Sequence, residues 1–313
     1  MSQNNNISNG NQPNSKLTTM SKTLVKLLSN SIGDSIAAAP YVSEFQKKEN
    51  VNVYFSINDP YVVLLEKSYP NIQFLGRNFD LQFDEIIELD YIFTKSVQSG
   101  YAEQLGFVNP TYIRPEIKIP EMKRPIKNSY ITLGVHSTCQ VKYWNHIDGK
   151  KVQGFTPNWN ELSGMLRKKG YTPVTVEKYE LFGSPPDFNG VPSKSNKQIG
   201  KSLLEAANII YHSDFYIGLS SGMSWIAHAL GKKVAMISNF TEDWNEFDLS
   251  LPDYIRITNK SVCHGCWNKI NLEHKFDKND WYWCPLHKDT PKQFECHTSI
   301  TPTMVINQIQ KWL

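Results

Sequence analysis

The chain contains no apolar run that approaches the roughly 18 to 20 consecutive residues a membrane-spanning helix requires. Its N-terminus is polar and uncharged up to Lys16 and lacks an apolar core. No secretory leader is expected there, and the expected location is cytoplasmic. Strong charge of either sign is also missing: 33 Lys and Arg against 30 Asp and Glu leave a net +3, with no basic run that would mark a nucleic-acid or membrane surface. That balance permits a polyanionic partner without arguing for one. Cysteine is scarce, at five in 313 residues. A disulfide framework is not expected in a reducing compartment. Four of the five nevertheless crowd into the last fifth of the chain, which calls for a separate explanation.

What is present is a globular composition, 40% hydrophobic and 20% charged, at a length that fits two domains. The organising stretch is FYIGLSSGMSWIAHALGKKVAMISNF, from Phe215 to Phe240. An apolar run stops at Ser220, Ser221 and Gly222; Trp225, Ile226 and Leu230 then follow at helical spacing, and a second apolar run comes after Gly231. The pattern is strand, tight turn, helix, strand. Free backbone N–H groups and the positive end of the helix dipole collect at such a turn, so Ser220, Ser221, Gly222 and Met223 suit a diphosphate. An ordinary βαβ crossover with a small-residue N-cap has the same pattern.

The first twenty residues, rich in Asn, Ser and Gln, read as a disordered tail. From residue 21 to about 125, apolar strand-length runs alternate with helix-like segments, which predicts a parallel sheet covered on both faces. Pro110, Pro115, Pro120 and Pro125 then punctuate a stretch that resists helix and serves as a semi-rigid connector. Residues 126–313 read as a second βα domain. The fold class is α/β, two Rossmann-like domains, with a cysteine-bearing segment at about 261–298 and a final helix.

Three groups of residues can carry chemistry. Gly33-Asp34 follows the opening strand, and the carboxyl ends of strands line the ligand crevice in open α/β sheets. Asp34 suits a general base in that crevice, while an N-cap for a helix starting at Ser35 is the plainer account. The loop after the second domain's first strand sets Lys142 among Ser137, Thr138 and Gln140, which fits phosphate neutralisation, and Trp144 offers a ring for stacking on a base or sugar. A solvated lysine beside a packing aromatic is the plainer account. Cys263, Cys266, Cys284 and Cys296 provide one C-x2-C pair and two later sulfurs, enough for a tetrahedral structural site that zinc or iron accepts. His264, His287 or His297 can replace one sulfur, and four buried free thiols are the alternative. Cys139 stands apart.

With these residues in view, the chain resembles the bacterial autotransporter heptosyltransferases. IGDSIAAAPYVSEF is similar to the opening motif of heptosyltransferases, GLSSGMSWIAHALGKKVAMIS to their donor-diphosphate motif, and ISNFTEDWNEF, VCHGCWN, DWYWCP and TPKQFECHTSI to the autotransporter group. The similarity runs from about Leu24 to Leu313. It implies a GT-B fold and an inverting glycosyltransferase without a catalytic divalent ion. Asp34 then falls at the base, Lys142 at the donor phosphates, residues 220 to 223 at the diphosphate, and Cys263, Cys266, Cys284 and Cys296 at a structural iron. ADP-heptose is the favoured donor and a protein serine the favoured acceptor. Trp244, Asn245 and Glu246, beyond the strand that ends at Ser238, are expected to touch the donor, although Glu246 suits a salt bridge or cap equally.

Two departures bear on these expectations. Ser221 stands where the wider heptosyltransferase group has an aspartate, so a nucleoside or sugar contact differs. The long N-terminal extension with which some of the group build rings is not seen, which counts against their large oligomer, with a homo-oligomer still open. A hydroxymethylated DNA base as acceptor, and a nucleotide-sugar-binding module without turnover, are the competing functions.

Overall fold

The computed structural model describes residues 20–144, 156–183, 189–269, 275–277 and 279–313. The expected N-terminal tail therefore lies, up to residue 19, outside the described residues. The first unit runs β1 (Lys22–Leu27), α1 (Ile32–Glu49), β2 (Asn52–Ser56), α2 (Asp59–Leu65), β3 (Gln73–Leu75), β4 (Glu85–Leu89) and α3 (Val97–Gln104). Its four strands are all parallel, in the order β3-β2-β1-β4. Helix α1 carries Pro40 inside it. The run from Ala37 to Ala39 is wholly buried, and its short side chains let the helix lie close in the core.

The second unit contains β5 (Tyr130–Gly134), α4 (Pro157–Lys168), β6 (Thr172–Glu177), the short antiparallel pair β7 (Leu181–Phe182) and β8 (Asn189–Gly190), β9 (Asn196–Ile199), α5 (Leu203–Tyr211), β10 (Tyr216–Leu219), α6 (Gly222–Ala229), β11 (Val234–Ile237) and β12 (Tyr254–Ile257). Its six-stranded sheet has the order β12-β11-β10-β5-β6-β9, again parallel throughout. Every residue of β5, β10 and β11 is buried, as expected of strands covered on both faces. Two short helices close the chain, α7 (Glu295–Thr298) and α8 (Pro302–Gln308). Among the described residues no helix is long and apolar enough to cross a membrane.

The proline-rich stretch is free of helix and strand, yet it does more than connect. Tyr69 Oη accepts the Glu116 N–H at 3.0 Å on the first unit. On the second, the Ile117 N–H reaches Ala229 O at 2.9 Å and the Arg114 guanidinium pairs with Asp253 at 2.6 Å. The connector is a strap laid across both units, and it packs with α6 in the larger hydrophobic core.

Candidate functional site

Strand β1 ends at Leu27, and a turn through Ser29, Asn30 and Ser31 delivers the chain into α1 with Ser31 at the N-cap. Asp34 lies in the helix's first turn, so it is not the cap. Its Oδ2 instead accepts hydrogen bonds from the Ser29 hydroxyl and from the phenol of Tyr91, just beyond β4. Arg77 steadies this turn, donating to the carbonyls of Leu27 and Ser29. The carboxyl is 5% exposed. Burial raises its pKa above the usual value, against the opposing pull of the Ser29 and Tyr91 hydroxyls and the Lys142 charge.

The small-residue turn comes directly against Ile32 and Gly33, the residues just before this acid. Helix α6 begins at Gly222 after Ser221, and its first turn abuts the first turn of α1. A Cβ on Gly222 would collide with Ile32, and one on Gly33 with the Trp225 ring. Neither glycine has a left-handed backbone, so both serve by their small size. The sequence places Asp34 over an open space between two domains, whereas the structure buries it where two helix ends touch. Two glycines face to face leave nothing to hold those ends apart.

Other candidates are placed differently from expectation. Trp144 is not a stacking ring. It is fully buried in the second unit's core, edge-on to Trp159 at 4.8 Å, with Nε1 donating to Ile300 O at 2.7 Å. Of the roles open to Glu246, the structure shows the salt bridge. It is buried, ion-paired with Arg256 of β12 at 2.6 Å, and accepts hydrogen bonds from Ser220 at 2.5 Å and from Thr241 at 2.9 Å. Burial alone would raise its pKa, but Arg256, Ser220 and Lys142 hold it below the usual carboxylate range. Asn245 is buried as well, accepting from the Asn268 amide at 2.7 Å. Trp244 is exposed. Ser137 is buried, its backbone N–H and carbonyl both bonded to the Tyr143 hydroxyl, and Thr138 is exposed. Lys142 ends a single 3-10 turn, half-buried, with Nζ 5.1 Å from the Phe240 ring centroid; its charge lowers the pKa of both Asp34 and Glu246.

The structure adds polar groups that the motifs do not announce. Tyr216 runs its side chain over Gly134 and Gly218, which have no Cβ in its way, so the phenol reaches the carboxyl ends of the strands. There it lies near Ser221 and Ser224 without hydrogen-bond geometry to either. Among the described residues, Tyr216 Oη, Ser221 Oγ and His136 Nε2 are all buried without a partner. Beside them Glu177, at the end of β6, accepts the backbone N–H groups of Val135 and His136 at 2.6 and 2.9 Å. Burial pushes Glu177 up to about 8 and takes His136 down to about 4. Unpaired buried polar atoms are costly, and a polar ligand at these strand ends would satisfy them. The only hint in the sequence is a glutamate closing an otherwise apolar strand, TPVTVE.

Cys263, Cys266, Cys284 and Cys296 line one cavity together with His287, Lys292 and Glu295, and all four are free thiols. Gly265 turns the Cys263-to-Cys266 loop with φ +68°, a conformation that favours glycine. The donor set is right in kind for a thiolate metal. Its placement is looser than the closed four-sulfur set expected from the spacing: among the described residues, no three or more His, Cys, Asp or Glu side chains are gathered tightly enough to hold an ion. Burial, then the neighbouring Cys263 and Cys284, raise the Cys266 thiol to about 12. Binding a metal requires that these thiols lose their protons.

No protein-family profile matches the chain. It is 29% identical over 306 residues to the autotransporter heptosyltransferase TibC of Escherichia coli O78:H11, covering 92% of this chain and 70% of TibC. It is 28% identical over 301 residues to the autotransporter heptosyltransferase Aah of Escherichia coli, covering 92% and 73%. The crystal structure of the dodecameric iron-containing heptosyltransferase TibC with ADP-D-beta-D-heptose superposes with a TM-score of 0.82 at 27% identity, over 95% of this chain and 77% of that one. The two parallel sheets thus match the GT-B fold of heptosyltransferases.

Proposed function

Taking the chain as a heptosyltransferase-like glycosyltransferase, we propose that it moves a heptose from ADP-heptose to an acceptor hydroxyl with inversion at the anomeric carbon. The observation that carries this reading is the meeting of the first turn of α1, which holds Asp34, with the turn at residues 220 to 223 of the second unit. Lys142 is close enough to act on the acid. ADP-heptose is favoured because TibC is seen with it.

In this scheme the α6 N-terminus and Lys142 hold the diphosphate, and the orphaned hydroxyls of Tyr216 and Ser221 supply further donors beside it. Asp34 takes the proton of the acceptor hydroxyl as its oxygen attacks the anomeric carbon. The bond from that carbon to the diphosphate oxygen breaks, and the diphosphate leaves with its new charge on groups already oriented to receive it. No catalytic divalent ion enters the scheme. The contact between the α1 and α6 ends is its closed form; donor entry parts them, and reclosure excludes water as a competing acceptor. The division near residue 125 then separates an acceptor side from a donor side. The acceptor is a protein hydroxyl, serine favoured, in keeping with the names of TibC and Aah as autotransporter heptosyltransferases.

The test is ADP release on incubation with ADP-heptose, beside UDP- and GDP-sugars, with mass spectrometry of candidate acceptor proteins. Release confined to ADP-heptose and rising with acceptor is the expected outcome. Inertness toward every nucleotide sugar sinks the reading.

We also propose that the four cysteines hold a structural iron, as TibC is iron-containing, with zinc the alternative metal. Cys263, Cys266, Cys284 and Cys296 would ligate as thiolates, closing the set against substrate, so the ion's contribution is to fold the segment rather than to react. The expected result is metal in the purified protein and its loss from Cys266→Ser by elemental analysis; unaltered content removes Cys266 from the set. By the same analogy the chain forms a homo-oligomer.

A further inference from the structure

A line of contacts joins the acid at Asp34 to the cysteine segment. Tyr91, whose hydroxyl donates to Asp34 Oδ2, meets the Trp267 ring edge-on at 5.4 Å. Phe93 stacks on Tyr91 at 6.1 Å and meets the same Trp267 edge-on at 5.1 Å. Trp267 directly follows Cys266. Asn268, next in sequence, donates from Nδ2 to Phe93 O at 2.9 Å and to Asn245 Oδ1 at 2.7 Å, while its Oδ1 accepts the Glu242 N–H at 2.8 Å. The Val97 N–H completes the attachment at Asn245 O, 2.8 Å away. The loop between β4 and α3 and the first residue of α3 therefore belong to the first unit but are pinned, at Tyr91, Phe93 and Val97, by residues of the second.

Two hydroxyls on one carboxylate oxygen fix the plane of the group and leave the other oxygen to take a proton. Ser29 is local to the turn. Tyr91 is held in place from outside it. We propose that Tyr91 is a positioning residue for Asp34, and that Trp267 and Asn268 brace it, so that the cysteine segment acts on the reaction by holding one hydrogen bond to the base. This rests on the reading of Asp34 as the base. It also gives the segment a task beyond holding itself together. The groups that face Asp34 are Ser29 and Ser31 of its own turn, Tyr91 from the β4–α3 loop, Tyr101 from α3 and Lys142 from the second unit. Of these, Tyr91 alone is in ring contact with Trp267.

The experiment is a carboxyl titration of Asp34 by carbon-13 NMR on the whole aspartate-labelled protein, the resonance being assigned by its absence in Asp34→Asn. It is run beside kcat and kcat/KM against pH. Tyr91→Phe removes only the hydroxyl and keeps the ring on Trp267. A donor to the ionised form lowers a carboxyl pKa, so without it the Asp34 titration and the acid limb of kcat/KM both move to higher pH, kcat drops about tenfold and KM for the donor holds. Trp267→Ala moves both in the same direction, and Trp267→Phe restores them toward the parent. Asn268→Ala, which frees the Phe93 carbonyl but spares the rings, gives the same shift if Trp267→Ala does not fold.

An Asp34 titration that Tyr91→Phe leaves in place overturns the role of Tyr91. A shift with Tyr91→Phe but none with the Trp267 and Asn268 variants overturns the brace. Should the parent protein transfer no sugar, the functional reading falls by itself, and the NMR titration still decides whether Tyr91 governs Asp34.

Discussion

Asp34→Asn lowers kcat by about 10²- to 10⁴-fold, the range in which a positioned base contributes, while the protein melts at the same temperature or higher near neutral pH. The two halves of this result have one cause. Asparagine keeps the shape and accepts the Ser29 and Tyr91 hydrogen bonds, but it cannot take a proton from the acceptor. The parent carboxyl is buried, and its pKa is raised in the folded state. Its stabilising contribution is therefore complete below the ordinary carboxylate value and is lost as pH rises toward the folded value. At neutral pH the ionised form opposes folding. Removing it relieves that cost, and the gain disappears in acid, where parent and variant melt together. For the same reason the parent's activity falls on the acid side at a pH above the usual carboxylate range. Rates equal to the parent's would remove Asp34 from the mechanism. A clear loss of melting temperature alongside lost activity would assign it a structural role instead.

How far the sequence discloses this site depends on the range of the contacts. The turn at residues 220 to 223 and the start of α1 are visible because small residues between an apolar strand and a helical spacing are local signals. Whether Asp34 caps the helix or points elsewhere is not local. Ser31 takes the cap, while the carboxylate goes to Tyr91, fifty-seven positions away, and nothing in ELDYIF states that its tyrosine turns toward Asp34. Trp144 illustrates the opposite error, since its position in a polar loop suggests an available ring while its apolar area is satisfied by Trp159 and the core. The C-x2-C pair with Gly265 reads plainly, but the approach of Cys284 and Cys296 to the same cavity depends on a fold that spacing does not convey. Glu246 lies in a stretch similar to a family motif, and its partner was readable: Arg256 interrupts the strand YIRI, and a charge in a buried strand requires a counter-charge.

That pairing leads to the second large effect, which is on stability. Glu246→Ala leaves the Arg256 guanidinium, whose side chain is 2% exposed, without its closest carboxylate. Asp243 also approaches Arg256, but at 3.3 Å, itself part-exposed and shared with Lys260. It does not replace two oxygens that accept from Arg256, Ser220 and Thr241 together. Stripping one partner from a buried ion pair costs about 3 to 5 kcal/mol, and for a chain of this size the melting temperature should fall on the order of 10 °C. Glu246→Gln, which keeps the hydrogen-bonding shape and loses only the charge, falls less. Because Ser220 is released from its acceptor at the mouth of the α6 turn, donor affinity should weaken in the folded fraction as well. A glutamate that served only as a sugar contact would behave otherwise, raising KM in Glu246→Ala with the melting temperature unmoved. Thermal denaturation followed by donor titration below the transition distinguishes the two, and an unchanged melt would mean that the Ser220–Glu246–Arg256 network does not support the turn it adjoins.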